Sequence, residues 1–107
     1  MHVAILMKQA DYVTGGHVDI KGIEVVDPTI YTPSSTLMQY ADPITGEIYV
    51  KKVVIVTEDS YKTTIISNYS DCYYDKANDT IVPTYNAVTN RALMEYDTSV
   101  PLVTDKP

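Results

Sequence analysis

Two histidines, His2 and His17, and one cysteine, Cys72, are the only imidazoles and the only thiol available for nucleophilic or metal chemistry. His17 and Asp19 flank Val18 just after Gly15-Gly16. On a strand, residues two apart share a face, so a histidine–carboxylate pair is within reach there. Acid–base work or a metal site needs further partners, and no HxH, HExxH or Cys/His cluster supplies them. The expectation is a polar strand face opposite Val18 and Ile20. Cys72 lies between Asp71 and the pair Tyr73-Tyr74, with Lys76 as the one nearby cation. A nucleophilic thiol needs a lowered pKa and a base, so Cys72 reads as a structural thiol. Being single, it has no internal disulfide partner, which excludes a disulfide-built scaffold. Asp71, Asp75 and Asp79 recur every four residues beside Asn78. Oxygen-rich loops can hold Ca²⁺, but the EF-hand spacing and its glycine are missing, so a solvated hairpin loop is expected. The sequence leaves open whether these three aspartates hold a cation. Thr14-Gly15-Gly16 lacks the Lys-Ser/Thr of a phosphate cradle, and no serine sits in a nucleophile elbow. The reading is therefore of a chain with no catalytic residue, no cofactor and no metal, and not an enzyme.

What remains is a set of side chains suited to contact. The chain has ten tyrosines, no tryptophan and no phenylalanine; with 13 Val, 10 Ile and 13 Thr they fill 46 of 107 positions. β-Branched and aromatic residues suit a pleated, half-buried surface. Tyrosine also buries a ring while keeping its hydroxyl in touch with water or a polar partner. Tyr61, Tyr69, Tyr73 and Tyr74 fall within 14 residues, and this cluster is the candidate interface. Near the C-terminus, Val100, Leu102 and Val103 are apolar in a proline-punctuated stretch too short for a core of its own. They need cover, either on the domain or on a neighbouring subunit, and the second is favoured because the domain's own core is small.

The charge excludes other classes. Fourteen acidic residues against eight basic ones give a net charge of −6, and Lys51-Lys52 is the only adjacent basic pair. Binding nucleic acid by phosphate neutralisation is disfavoured. The N-terminal apolar run Val3-Ala4-Ile5-Leu6-Met7 has no basic region before it and no small-residue cleavage pattern after it, so neither a signal peptide nor a membrane span is expected.

The elements that must position these residues read mostly as strands. Residues 3–7 form a buried strand. Gly15-Gly16 between Tyr12-Val13-Thr14 and His17-Val18-Asp19-Ile20 predicts a hairpin. The apolar phase slips at Lys21-Gly22, between Val18/Ile20 and Ile23/Val25, which predicts a β-bulge, and Asp27-Pro28 ends that strand. A loop over 29–36 leads to a strand at 37–40. The turn Asp42-Pro43-Ile44-Thr45-Gly46 follows, with Asp42 capping, Pro43 presetting φ and Gly46 taking the left-handed position. Residues 48–56 make the long central strand, 61–67 another, and 71–74 and 80–83 a hairpin about a polar turn. Helical spacing of Tyr85, Val88, Ala92 and Tyr96 predicts one short helix near 86–96, in competition with a strand pair turning at Thr89-Asn90.

The sum is an all-β, mainly antiparallel fold, a small sandwich or barrel, as a single domain over 1–97 with an extended tail over 98–107. The chain resembles the small β-rich accessory proteins of tailed-bacteriophage particles: auxiliary capsid, decoration or connector subunits. The resemblance rests on the start at Met1, the Thr/Val/Ile/Tyr-rich strands, the Asp42-Pro43-Ile44-Thr45-Gly46 turn and the tail from Thr98. It implies a repeated subunit made in the host cytoplasm and carried in the virion, contributing contact area and no chemistry. Its partners would be other virion structural proteins and copies of itself. The alternative expectation is a carbohydrate-binding type of β module that uses surface tyrosines.

Overall fold

The computed structural model describes residues 2–27, 29–30, 38–56, 68–89 and 102–106. The predicted strand at 61–67, with Tyr61, lies outside them, as do Val100, most of the 29–36 loop and the second half of the predicted 86–96 helix. Within them the fold is mainly antiparallel β, in two sheets with two short helices.

Sheet one is built on the two most apolar runs. Strands β1 (His2–Lys8) and β5 (Ile48–Ile55) pair along their full length at its centre. Strand β3 (Gly22–Val26) flanks β1 and β4 (Met38–Ala41) flanks β5, giving the order β3-β1-β5-β4. The register puts Val3 opposite Val54 and Met7 opposite Val50, and these four point into the core with Ile5. The predicted turn closes the β4–β5 hairpin. The Asp42 carboxylate accepts the N–H of Ile44 (2.8 Å) and of Thr45 (3.2 Å), and Gly46 takes φ +74°.

Sheet two has the order β2-β6-β7, from β2 (His17–Asp19), β6 (Cys72–Asp75) and β7 (Thr80–Pro83). Val18, Tyr74 and Ile81 lie side by side in its register and face the same core as sheet one. Each such side chain contributes on the order of 1.5–3 kcal/mol by leaving water. Two sheets sharing one core is the arrangement of a sandwich, and among the described residues neither sheet closes into a barrel.

Two expectations are corrected. No hairpin forms at Gly15-Gly16. Residues Gln9–Thr14 are a short helix, α1, and the glycines join it to β2. The β-branched Thr14 is tolerated in it because its hydroxyl donates back to the Ala10 carbonyl (2.9 Å). Gly15 is there for space, not for positive φ: its φ is −103°, and a Cβ would sit 3.1 Å from the backbone oxygens of Asp11 and His17. Nor is there a bulge at Lys21-Gly22. The chain leaves sheet two after Asp19 and enters sheet one at Gly22. A one-residue phase slip is the signature of either event, since both reverse which side chains meet the core.

The second helix, α2 (Tyr85–Thr89), follows β7 at the start of the predicted helical segment. No helix among the described residues is long and apolar enough to cross a membrane.

Candidate functional site

Strand alternation splits the tyrosine cluster. In β6, Cys72 and Tyr74 point inward while Tyr73 and Asp75 point outward. Tyr74 is 2% exposed and stacks on Tyr12 of α1 at 6.4 Å between ring centroids, so it is a core aromatic and has no ring face to offer a partner. Its hydroxyl donates to the Asp79 carboxylate. Burial, followed by that hydrogen bond, pushes the phenol well above its ordinary pKa. Tyr69 is half-buried against the core from a short 3-10 turn. Of the described members of the cluster, only Tyr73 stands on an outer sheet face.

Around Tyr73 the outer face of sheet two is polar. His17 and Asp19 share it as expected, in register with Asp75 and Tyr73 respectively. The His17 ring lies 5.9 Å from that of Tyr73 in a tilted pair. Leu102 and Val103, the described members of the predicted apolar tail, lie half-buried beside it, on the chain's own sheet. Val103 bridges Thr84 in parallel, and Lys106 reaches Asp19 at 3.1 Å.

Of the three aspartates expected in one solvated loop, Asp75 and Asp79 have separate uses. Asp75 accepts the Ala77 N–H (3.1 Å) and the Asn78 side-chain amide (2.8 Å), and the Asn78 bond chiefly holds its carboxyl below the usual range. Asp79, at φ +52°, takes the Tyr74 hydroxyl and the Lys52 ammonium, the latter at 3.2 Å. Among the described residues no three His, Cys, Asp or Glu side chains converge as a metal site. Cys72 is fully buried, its thiol donating to the Asn68 carbonyl at 3.4 Å. Burial pushes its pKa up to about 12, with Lys106 partly opposing, so at neutral pH it is an inert thiol.

No family model, curated protein or solved structure matches this chain. Its surfaces must speak for themselves.

A groove among the described residues lies elsewhere, on the outer face of sheet one. It is an open groove of about 640 Å³ with Ala4, Leu6 and Gly22 on its floor and Tyr40, Tyr49 and Lys51 along one side. Tyr40 and Tyr49 are direct cross-strand neighbours, and the Lys51 ammonium lies 5.4 Å from the Tyr40 ring centre. Met38, Tyr40 and Ile55 are each more than two-fifths exposed on this face. The sequence carried a signal for it. Tyr49 and Lys51 alternate with Ile48 and the buried Val50, and the 42–47 turn sets Tyr40 across from Tyr49. Leu6 and Ala4 join only through the long-range β1–β5 pairing.

Proposed function

We propose that this chain is a non-enzymatic structural subunit of a larger assembly that works by protein–protein contact through the outer face of sheet one. The observation that carries the reading is the Tyr40–Tyr49 pair with Met38 and Ile55, an aromatic and apolar face held on paired strands and bordered by lysine. Tyrosine and methionine are enriched in contact surfaces, and a rigid sheet presents them with little entropy left to lose. The thiol is buried, Asp42 and Asp75 accept hydrogen bonds within their own turns and Asp79 pairs with Lys52, which supports contact as the property this surface offers. The resemblance to phage accessory subunits makes the specific form of this proposal a virion accessory protein, binding a shell or connector.

The test is sedimentation and native mass of the purified chain, alone and with assembled shells. Co-sedimentation that Tyr40→Ala and Tyr49→Ala each weaken by roughly tenfold or more is expected, since central aromatic anchors carry about 2 kcal/mol or more. A strict monomer that ignores shells overturns it.

A second reading has an observation of its own. Tyr40 and Tyr49 line the groove together with Glu24 and Asp42, a combination of rings and carboxylates that also suits a carbohydrate. Glycan-array binding abolished by Tyr49→Ala, without shell binding, would favour that alternative.

A further inference from the structure

The outer face of sheet two is occupied by the chain's own C-terminal segment, and the contacts are those of peptide recognition. Val103 donates its N–H to the Pro83 carbonyl at 3.1 Å and forms a parallel bridge with Thr84. The Asp105 carboxylate accepts the N–H of Asn86 at the start of α2, at 2.7 Å. Lys106 places its ammonium 3.1 Å from Asp19 and 4.7 Å from the Tyr73 ring centre, and only 16% of its side chain remains exposed. Main-chain pairing along a strand end, with a charged side chain held by an acid and an aromatic ring, is how sheets capture extended segments. The seat is selective at Lys106 and shallow elsewhere, since Leu102 and Val103 are only half-buried.

Twelve residues separate Thr89 from Leu102. Extended, that connection reaches about 45 Å, and the molecule's longest dimension is 38 Å. The segment's length therefore suffices to fill the same seat on its own sheet or on a neighbour's. Every contact above can be re-made unchanged between copies, and exchange of an identical element is a low-cost route to association.

We propose that residues 102–106 are an exchangeable arm and that the outer face of sheet two is its docking site on a second copy of this chain. Asp19 and Tyr73 select Lys106, and the Pro83 carbonyl and Asn86 N–H set the register. Covalent connection gives the arm a higher local concentration at its own seat than at another copy's in dilute solution. Exchange is thus weak in dilute solution and favoured where copies are crowded on a scaffold. This site lies on the other sheet from the proposed contact face, so it stands or falls separately.

Charge reversal tests it in the full chain. Asp19→Lys and Lys106→Glu each set like charges against each other within one chain. Mixed, the two variants restore both attractions, but only between chains. Native mass spectrometry is expected to show a 1:1 heterodimer in the mixture, at least about tenfold more abundant than the homodimer of either variant, while the double variant returns to wild-type behaviour. Tyr40→Ala and Tyr49→Ala leave the heterodimer unchanged. A mixture of folded variants that stays monomeric overturns the proposal. Should a reversed chain fail to fold by circular dichroism, Lys106→Gln and Asp19→Asn replace the pair, with a labelled peptide of residues 98–107 as probe. Binding to the Lys106→Gln chain that Asp19→Asn lowers by about threefold or more supports it; equal binding to both chains, or none, overturns it.

Discussion

Lys52 lies on the core face of β5, opposite Ile5, and its ammonium meets the Asp79 carboxylate of sheet two at 3.2 Å. The lysine is 8% exposed, whereas the aspartate side chain is 54% exposed. The pair therefore joins the two sheets at the rim of the sandwich, one partner inside and one in water. Asp79 also accepts the Tyr74 hydroxyl and sits at φ +52°, a conformation that Asp and Asn tolerate better than other side chains with a Cβ. Asp79→Ala removes the charge and the acceptor and leaves the strained backbone. It is expected to cost about 2 kcal/mol, below the usual figure for breaking a buried pair because water reaches the aspartate. Asp79→Asn keeps an acceptor and the backbone preference and should cost less than half as much. Urea unfolding of both variants measures the difference, and equal costs would assign the whole effect to the carboxylate charge and none to the turn backbone or a neutral acceptor.

Adjacent tyrosines of β6 should respond in opposite ways. Tyr74→Ala opens a large cavity beside Val18, Ile81 and Tyr12 and should cost about 4 kcal/mol, a large fraction of the total stability of a chain this size. Tyr74→Phe removes only the hydroxyl and leaves Asp79 to Lys52 and water, at a cost of about 1 kcal/mol. Tyr73→Ala, on the outer face, loses contact with His17 and Lys106 and should cost no more than about 1 kcal/mol. Thermal melts of the three variants check the order.

That pair also shows what was legible in the sequence. The β4–β5 and β6–β7 hairpins could be read because their chemistry is local: Asp42 caps its own turn, Gly46 accepts a positive φ, and strand alternation surrounds both turns. Alternation also fixes Tyr73 and Tyr74 on opposite faces, but grouping tyrosines by proximity in the chain hides it. The α1 helix runs against its local signal, because Val13, Thr14 and two glycines favour a hairpin. Packing decides instead, through the Tyr12 ring on Tyr74 and the Lys76 ammonium 4.6 Å from the Tyr12 ring centre. The crossing between sheets at Gly22 and the groove floor at Leu6 depend on pairings of β1 with strands far along the chain. Such non-local contacts leave either no periodic mark, as at Leu6, or an ambiguous one, as in the phase slip at Lys21-Gly22 that a bulge would also produce.

Alkali should loosen the core before it affects the surface. The Cys72 thiol, ordinarily at 9.0, is raised to about 12 by burial, and the Tyr74 phenol is raised by burial and by Asp79. A raised folded-state pKa contributes stability that is complete below the unfolded value and is lost as pH climbs toward the folded one. Stability should therefore be level up to about pH 9 and fall above it. At pH 8 a thiol with this pKa is about one part in ten thousand thiolate. Labelling of Cys72 by an alkylating reagent should be at least a hundredfold slower in the native chain than in urea. Fast native labelling would place the thiol at the surface.

Acid acts on the turns. Asp42 is held below the ordinary carboxylate value of 3.8, first by the Ile44 N–H and then by that of Thr45, and Asp75 is lowered chiefly by Asn78. For a lowered folded-state pKa the contribution is complete above the unfolded value and is lost as pH falls through the folded one. The native chain should therefore lose stability only below about pH 4, through protonation of these two turn carboxylates among others. Asp42→Asn and Asp75→Asn each remove one titrating group, so each variant should melt lower than wild type at pH 7 and draw level with it near pH 2. Asn can still cap a turn, so the gap at pH 7 reports the charge on the acceptor and not the turn itself. Melting temperatures that stay parallel across this range would mean the two carboxylates accept no stronger hydrogen bonds in the fold than water gives them.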